Sequence, residues 1–236
     1  MAKGKGSQVE HVLFVGGDKG GVGKSTVAIA AAWYAQQHGG AATIDADPRN
    51  PNLHRIYPGT LAPRLETAED ALRLLNTIES ADAPVVIIDT PAGYWGRLEK
   101  HGRFVVEGIQ ALGAKITVAW VLDRGLDSIN LLRVAAKGPI CSAAEKVLIA
   151  RNTYFGEASD FQRWEISDTR QTLLADPRFG EVTFPALNEL VADKLLAVTK
   201  PVQFESALSN GALTLMERIA LEQYLRDVEQ AMAGVL

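Results

Sequence analysis

The stretch "GGDKGGVGKST" (Gly16–Thr26) sets two lysines, an aspartate, a serine and a threonine among glycines. Glycine permits the turns that aim successive backbone N–H groups at one point, where they wrap an anion. Gly20, Gly21, Val22 and Gly23 are spaced to do this. Before them, "HVLFVG" (11–16) reads as a buried strand. After them, "KSTVAIAAAWYAQQH" (24–38) reads as a helix, stopped by Gly39-Gly40, whose positive dipole end faces the same anion. In this context Lys24 reaches the β- and γ-phosphates of a nucleotide. The Ser25 hydroxyl ligates Mg2+, and Thr26 touches the α-phosphate. The usual phosphate loop reads G-x-x-x-x-G-K-[ST]. Here Asp18 replaces its first glycine, and a second lysine, Lys19, follows.

Two further stretches carry carboxylates. In "TIDADPRNPN", period 2 places Asp45 and Asp47 on the same face of an extended chain, and Pro48 ends the strand. Two like charges beside apolar residues are costly without a cation nearby. In "VVIIDTP", four apolar residues precede Asp89, a Walker B pattern. A buried strand there delivers one carboxylate to a Mg2+ shell through water. Thr90-Pro91-Ala92-Gly93 follows, a segment whose backbone can sense a γ-phosphate.

These residues need a frame, and the apolar pattern supplies one. Strands are expected at 11–16, 41–47, 83–90, 115–123, 145–152 and 181–185. Helices are expected at 24–38, 67–79 with Thr67 as N-cap, 95–112, 126–137, 159–175, 187–197 and 212–232. Strands apolar almost throughout, alternating with helices, indicate an α/β fold: a mostly parallel central sheet with helices on both faces. Ligands of such sheets bind at the carboxyl ends of the strands. The polar residues cluster there, after Gly16 and at Asp45, Asp47, Asp89, Asp123 and Asn152.

Composition narrows the function classes. A chain of 236 residues, 47% hydrophobic and 22% charged, is long enough for one sizeable core. The expectation is a flexible tail over residues 1–10, bearing Lys3 and Lys5, and one domain over 11–236. The single cysteine, Cys141, excludes an internal disulfide and a Cys-pair metal site. His11, His38, His54 and His101 form no spaced metal pair. No apolar run spans a membrane, and the start has no secretory h-region, so a cytoplasmic protein is expected. Net charge is −4, with −5 of it in residues 151–236, and no basic tract appears. The footprint of a dedicated nucleic-acid binder is therefore absent, although folding or dimerisation could assemble a basic patch.

"KGGVGKST" resembles the deviant Walker A box of the ParA/MinD family of ATPases, a SIMIBI-like group of P-loop NTPases. The resemblance implies ATP and Mg2+ as ligands, slow hydrolysis, and an ATP-sandwich homodimer. It makes Lys24 the cis lysine. Lys19 becomes the signature lysine that contacts nucleotide in the partner subunit. Such a cation stabilises transition-state charge only after dimerisation. "TIDADP" is similar to the family's switch I, which makes Asp47 the carboxylate that positions the attacking water and puts Asp45 near the magnesium shell. "VLIARN" resembles the segment whose asparagine, here Asn152, reads the adenine edge. "VTFPALNE" resembles the segment around Pro185 whose backbone borders the base. "TKPVQFE" is similar to the family's "KPV" stretch.

The expected protein is a short form without an N-terminal DNA-binding domain. Its expected partners are a second copy of itself and an adaptor or cargo protein that stimulates hydrolysis. The group's roles include DNA partition, cargo positioning and conjugative DNA transfer, and "VLIARNTYFGEASDF" is similar to short ATPases of conjugative operons. The MinD branch ends in a basic membrane-binding helix. Here Met216, Ile219, Ala220, Tyr224, Val228 and Met232 share a face opposite a mixed, acidic one, so packing on the domain is expected. Two alternatives stay open. "IDADPRNPNLHRIYP" also resembles the Walker A′ segment of bacterial protein-tyrosine kinases. Those kinases usually lack the front lysine and carry a C-terminal tyrosine cluster. The other alternative is an ATP-gated interaction protein with little turnover.

Overall fold

Val12 to Gly16 are buried without a break, because β1 (His11–Gly16) runs down the middle of a sheet covered on both faces. The computed structural model describes residues 9–62, 65–196 and 201–235. The expected tail lies outside these up to residue 8, as do Thr199 and Lys200 of "TKPVQFE". The remaining strands are β2 (Ala41–Asp45), β3 (Thr60–Leu61), β4 (Val85–Asp89), β5 (Lys115–Leu122), β6 (Lys146–Asn152) and β7 (Phe179–Phe184). They form one seven-stranded sheet in the order β3-β2-β4-β1-β5-β6-β7, and every pair is parallel.

Period-2 alternation divides the core. Val12 and Phe14 of β1, Val86 and Ile88 of β4, and Val118 and Trp120 of β5 face one side. Leu13, Val15, Val85, Ile87, Ala119 and Val121 face the other. The first side is covered by α3 (Ala68–Glu79), α4 (Trp95–Lys100), α5 (Gly102–Ala111), α6 (Leu126–Ala135), α7 (Pro139–Ala143) and α8 (Gln162–Glu165). Next to α8, α9 (Asp168–Leu174) packs on β7. The second side is covered by α1 (Lys24–Gln37), α2 (Asn52–Ile56), α10 (Glu189–Leu195), α11 (Phe204–Ala207) and α12 (Leu215–Met232). Val27 to Ala35 of α1 are all buried, because α1 lies on the sheet and is itself covered by α2 and α12. Its alanines let those layers approach closely.

Several elements depart from the pattern reading. The helix expected at 95–112 breaks at His101. There Gly102 packs so tightly that a Cβ would meet Pro139 at 2.5 Å. The helix expected at 159–175 becomes a 3-10 turn, α8 and α9, restarting where the Ser167 hydroxyl accepts the Arg170 amide at 3.1 Å. On α12 the buried stripe is Leu221, Tyr224, Leu225, Val228 and Met232, while Met216 and Ile219 are exposed. The first turn of that helix is tied to α10 by the Lys194–Glu217 ion pair instead. Thr67 caps α3 as its position predicts, in a reciprocal pair with Asp70.

Candidate nucleotide site

The register sets the ends of three strands level: Val15 pairs with Asp89, and Asp45 pairs with Asp89 from the other side. The segments that leave β1, β2 and β4 therefore meet at one place. From β1 the chain turns at Gly17 and enters α1 through Gly23. At Gly17 φ is +140° and a Cβ would meet the Val121 carbonyl at 2.8 Å. Gly23 is left-handed at φ +94° and packs against the Asn152 amide, leaving no room for a side chain. Glycine is thus required at both points.

A cavity of about 480 Å3 opens over the N-terminus of α1. Gly20, Gly21, Gly23, Lys24, Ser25 and Thr26 border it from the loop, Asp47 from the β2 side, and Asp89 to Ala92 from the β4 side. Lys24 is 7% exposed, and its Nζ donates to the carbonyls of Lys19 at 2.6 Å and Gly17 at 3.3 Å. Burial pushes its ammonium below the usual lysine range, against the pull of Asp89, Asp18 and Asp47. Asp89 is 2% exposed, and neither of its oxygens accepts a hydrogen bond of normal geometry. Burial pushes its carboxyl up to about 7. The nearby Ser25 hydroxyl opposes the rise, Asp45 adds to it, and Lys24 opposes it.

The two carboxylates at the end of β2 differ. Asp45 is 1% exposed, and both its oxygens are engaged: Oδ1 accepts the Asp47 amide at 2.9 Å and Oδ2 the His54 amide at 3.1 Å. Burial raises its pKa, and those amides work against the rise. Asp45 thus builds the turn that carries Asp47 to the cavity. The Oδ1 of Asp47 accepts the amides of Arg49 and Asn50, both at 3.0 Å.

Lys19 stands apart. Its Nζ forms an ion pair at 2.6 Å with Asp123, just past the end of β5, and it does not border the cavity. The Gly125 amide and the Ser128 hydroxyl hold the other oxygen of Asp123 at 2.8 and 2.6 Å. Partial burial opposes ionisation of Asp123, but Lys19, Ser128 and Gly125 outweigh it and hold its pKa below the usual range.

A second cavity of about 450 Å3 shares Gly21, Gly23 and Thr26 with the first. Pro185, Leu187 and Leu196 give it an apolar wall, and Tyr154 and Phe155 border it with aromatic rings. Asn152 borders it too, but its amide is turned to the loop: Nδ2 donates to the Val22 carbonyl at 2.8 Å and Oδ1 accepts the Tyr154 amide at 3.1 Å. Sequence reasoning singled out neither aromatic residue, although a Tyr-Phe pair two residues past a strand end was a usable signal. It also gave no role to Asp18, whose only sequence mark is that it replaces a glycine.

The residues present fit a nucleotide with a magnesium ion. Asp89, buried with no hydrogen bond of normal geometry, lies near the Ser25 hydroxyl, and the two would suit a cation. Mg2+ is typically held by one or two protein groups, substrate phosphates and waters. Among the described residues no cluster of three or more His, Cys, Asp or Glu could form a protein-only metal cage.

No family model matches the chain. Protein MobD from Acidithiobacillus ferrooxidans is 28% identical over 232 residues, which cover 96% of this chain and 98% of MobD. Cyanothece McdA, solved as an ATP complex, is similar with a TM-score of 0.55 at 13% identity, over 98% of each chain. The ParA family ATPase of Chlorobium tepidum gives a TM-score of 0.52 at 14% identity, over 93% of this chain and 99% of that one. The MinD structure from Aquifex aeolicus, solved with MinC, gives 0.50 at 18% identity, over 95% and 96%. This is the fold of the ParA/MinD ATPases. Within that fold, the cavity lies where the parallel strands end and α1 begins, the position at which an open α/β sheet takes its ligand.

Proposed function

We propose that the chain is a ParA-type ATPase that binds Mg·ATP, pairs with a second copy across the nucleotide, and hydrolyses ATP slowly. One observation carries this reading: Lys24, Ser25, Asp47 and Asp89 border one cavity at the N-terminus of α1. The amides of Gly20 to Gly23 wrap the phosphates. Lys24 leaves the loop carbonyls for the β- and γ-phosphate oxygens. Ser25 and Asp89 would hold the magnesium ion, with Asp45 close to its shell. That ion neutralises phosphate charge. Asp47 holds the attacking water, and Thr26 contacts the α-phosphate. The base occupies the second cavity against Pro185, with Asn152 fixing the loop beneath it. Lys19 acts on the partner's nucleotide.

The likeness to MobD, nearly end to end, favours a role in DNA mobilisation or conjugative transfer over the group's other roles, with an adaptor protein stimulating turnover. Among the described residues no helix is long and apolar enough to cross a membrane, and α12 buries its apolar stripe against α1, β7 and α10. The kinase reading loses ground because four of the five tyrosines, Tyr34, Tyr57, Tyr94 and Tyr224, are buried.

The test pairs two variants. Lys24→Ala removes the cation that faces the phosphates, so calorimetry should show ATP affinity falling by about a hundredfold or more, with the fold intact. Asp47→Ala should bind ATP normally but release phosphate at least about tenfold more slowly, accumulating the ATP-bound state. Unchanged ATP affinity in Lys24→Ala removes the phosphate-loop assignment. Label from γ-labelled ATP that stays on tyrosine instead favours the kinase.

A further inference from the structure

Asp18 sits where the usual phosphate loop has glycine, and the chemistry proposed above does not use it. Its contacts converge on the segment that follows Asp89. The main-chain oxygen of Asp18 accepts the Gly93 amide at 3.2 Å, and its Oδ1 accepts the Trp95 amide at 3.1 Å. Trp95 opens α4, whose own N-cap residue, Tyr94, makes no side-chain cap bond. Asp18, 77 residues away in sequence, supplies the acceptor that this helix start lacks.

The ring of Trp95 locks that end in place. It is 3% exposed, packs edge-on to Trp120 at 5.1 Å, and closes over Gly16, where a Cβ would meet it at 2.7 Å. The other end of the segment is equally fixed: the hydroxyl and amide of Thr90 both donate to the Val15 carbonyl, at 2.7 and 3.2 Å. Only Pro91, Ala92, Gly93 and Tyr94 lie between the anchors. Pro91 and Ala92 border the phosphate cavity, and Gly93 has a left-handed φ of +70°. The residue after Asp18 is Lys19, parked on Asp123.

We propose that Asp18 is a positioning residue that ties the Pro91–Gly93 segment to the front of the phosphate loop. A γ-phosphate meeting that segment thereby shifts Lys19 away from Asp123 and toward a partner. This rests on the ATPase reading. The side-chain half of the link, Oδ1 to the Trp95 amide, is an acceptor oxygen rather than a charge, so asparagine preserves it and alanine does not, while the main-chain bond to Gly93 survives both. A cap with a purely structural role would change stability alone and would leave the segment's response to nucleotide intact.

The experiment uses the full chain as wild type, Asp18→Ala and Asp18→Asn. It reads MgATP affinity, kcat and KM, and hydrogen exchange over residues 90–97 with ADP and with a non-hydrolysable ATP analogue. Asp18→Ala should keep MgATP affinity within about threefold while kcat falls by about tenfold or more. It should also lose the difference in exchange between the ADP and analogue states. Asp18→Asn should restore both. Asp18→Gly, the residue of the usual loop, carries the same expectation as Asp18→Ala and replaces it if that variant does not fold. Wild-type kcat in Asp18→Ala, or a loss that Asp18→Asn does not repair, overturns the inference while leaving the ATPase reading standing. A wild-type chain that fails to bind MgATP overturns both.

Discussion

An ionised Asp89 is a charge among buried atoms with no hydrogen bond of normal geometry to hold it. Burial therefore pushes its pKa up to about 7, whereas an unfolded aspartate titrates near ~3.9. Between those values the folded protein keeps a proton that the unfolded chain has lost. The contribution of Asp89 is fully favourable below about pH 4 and is lost as pH rises through about 7. Asp89→Asn never ionises, so the nucleotide-free variant should melt above wild type at pH 8, by the equivalent of a few kcal/mol. The gap should shrink at pH 5, where wild-type Asp89 is protonated. Calorimetric melts at both pH values check this, and an equal gap at both would locate the effect elsewhere. The substitution should also weaken Mg2+-dependent ATP binding. The misfit of a buried, ionised Asp89 is one that a bound cation would relieve.

Between elements, the loop and the end of β6 are joined by Asn152. Its Nδ2 holds the Val22 carbonyl, and the missing Cβ of Gly23 makes room for it. Asn152→Ala should cost about 1–2 kcal/mol by leaving the Val22 carbonyl without its buried donor. ATP and GTP binding should weaken by the same factor, because the amide touches the loop and not the base. A fall confined to ATP in paired calorimetry would mean that Asn152 turns to read adenine once the base is bound. This contact shows what sequence conveys and what it withholds. The strand-loop-helix around Lys24 and Asp89 at a strand end were legible, because local spacing generates each of them, whereas β2 stops at Asp45 and leaves Asp47 in the turn beyond it, not on a shared strand face. The contacts of Asn152 with Val22, Lys19 with Asp123 and Asp18 with Trp95 join residues 130, 104 and 77 positions apart. Only the strand order β4-β1-β5-β6 brings them together, and no local period encodes that order. The short elements α2 and β3 were missed for a related reason. A five-residue helix and a two-residue edge strand show too little of any period to register.

For the whole molecule, the proposed pairing of two copies turns on Lys19. Nζ of Lys19 reaches Asp123, while Lys24 alone of the two borders the cavity. Pairing of two copies across bound ATP would have to break the Lys19–Asp123 ion pair in each. The pair is partly exposed, Lys19 by 35% and Asp123 by 13%, so solvent screening keeps the cost of opening it small. The expected outcomes are therefore opposite in sign for the two partners. Lys19→Ala should keep most of its ATP affinity as a monomer yet lose ATP-dependent dimerisation and the turnover that depends on it. Asp123→Asn retains an acceptor for Gly125 and Ser128 but releases the lysine. It should dimerise at an ATP concentration about two- to fivefold lower than wild type, the range that a screened pair of up to ~1 kcal/mol allows. Raising the salt concentration should narrow that difference, because it weakens the ion pair only where the aspartate remains. Light scattering against ATP concentration, in an Asp47→Ala background that blocks turnover, reads all three. If Lys19→Ala still dimerises on ATP, Lys19 is only the partner of Asp123, and the front lysine has no part in assembly. If Lys19→Ala fails while Asp123→Asn matches wild type, the lysine acts across the dimer but Asp123 does not restrain it.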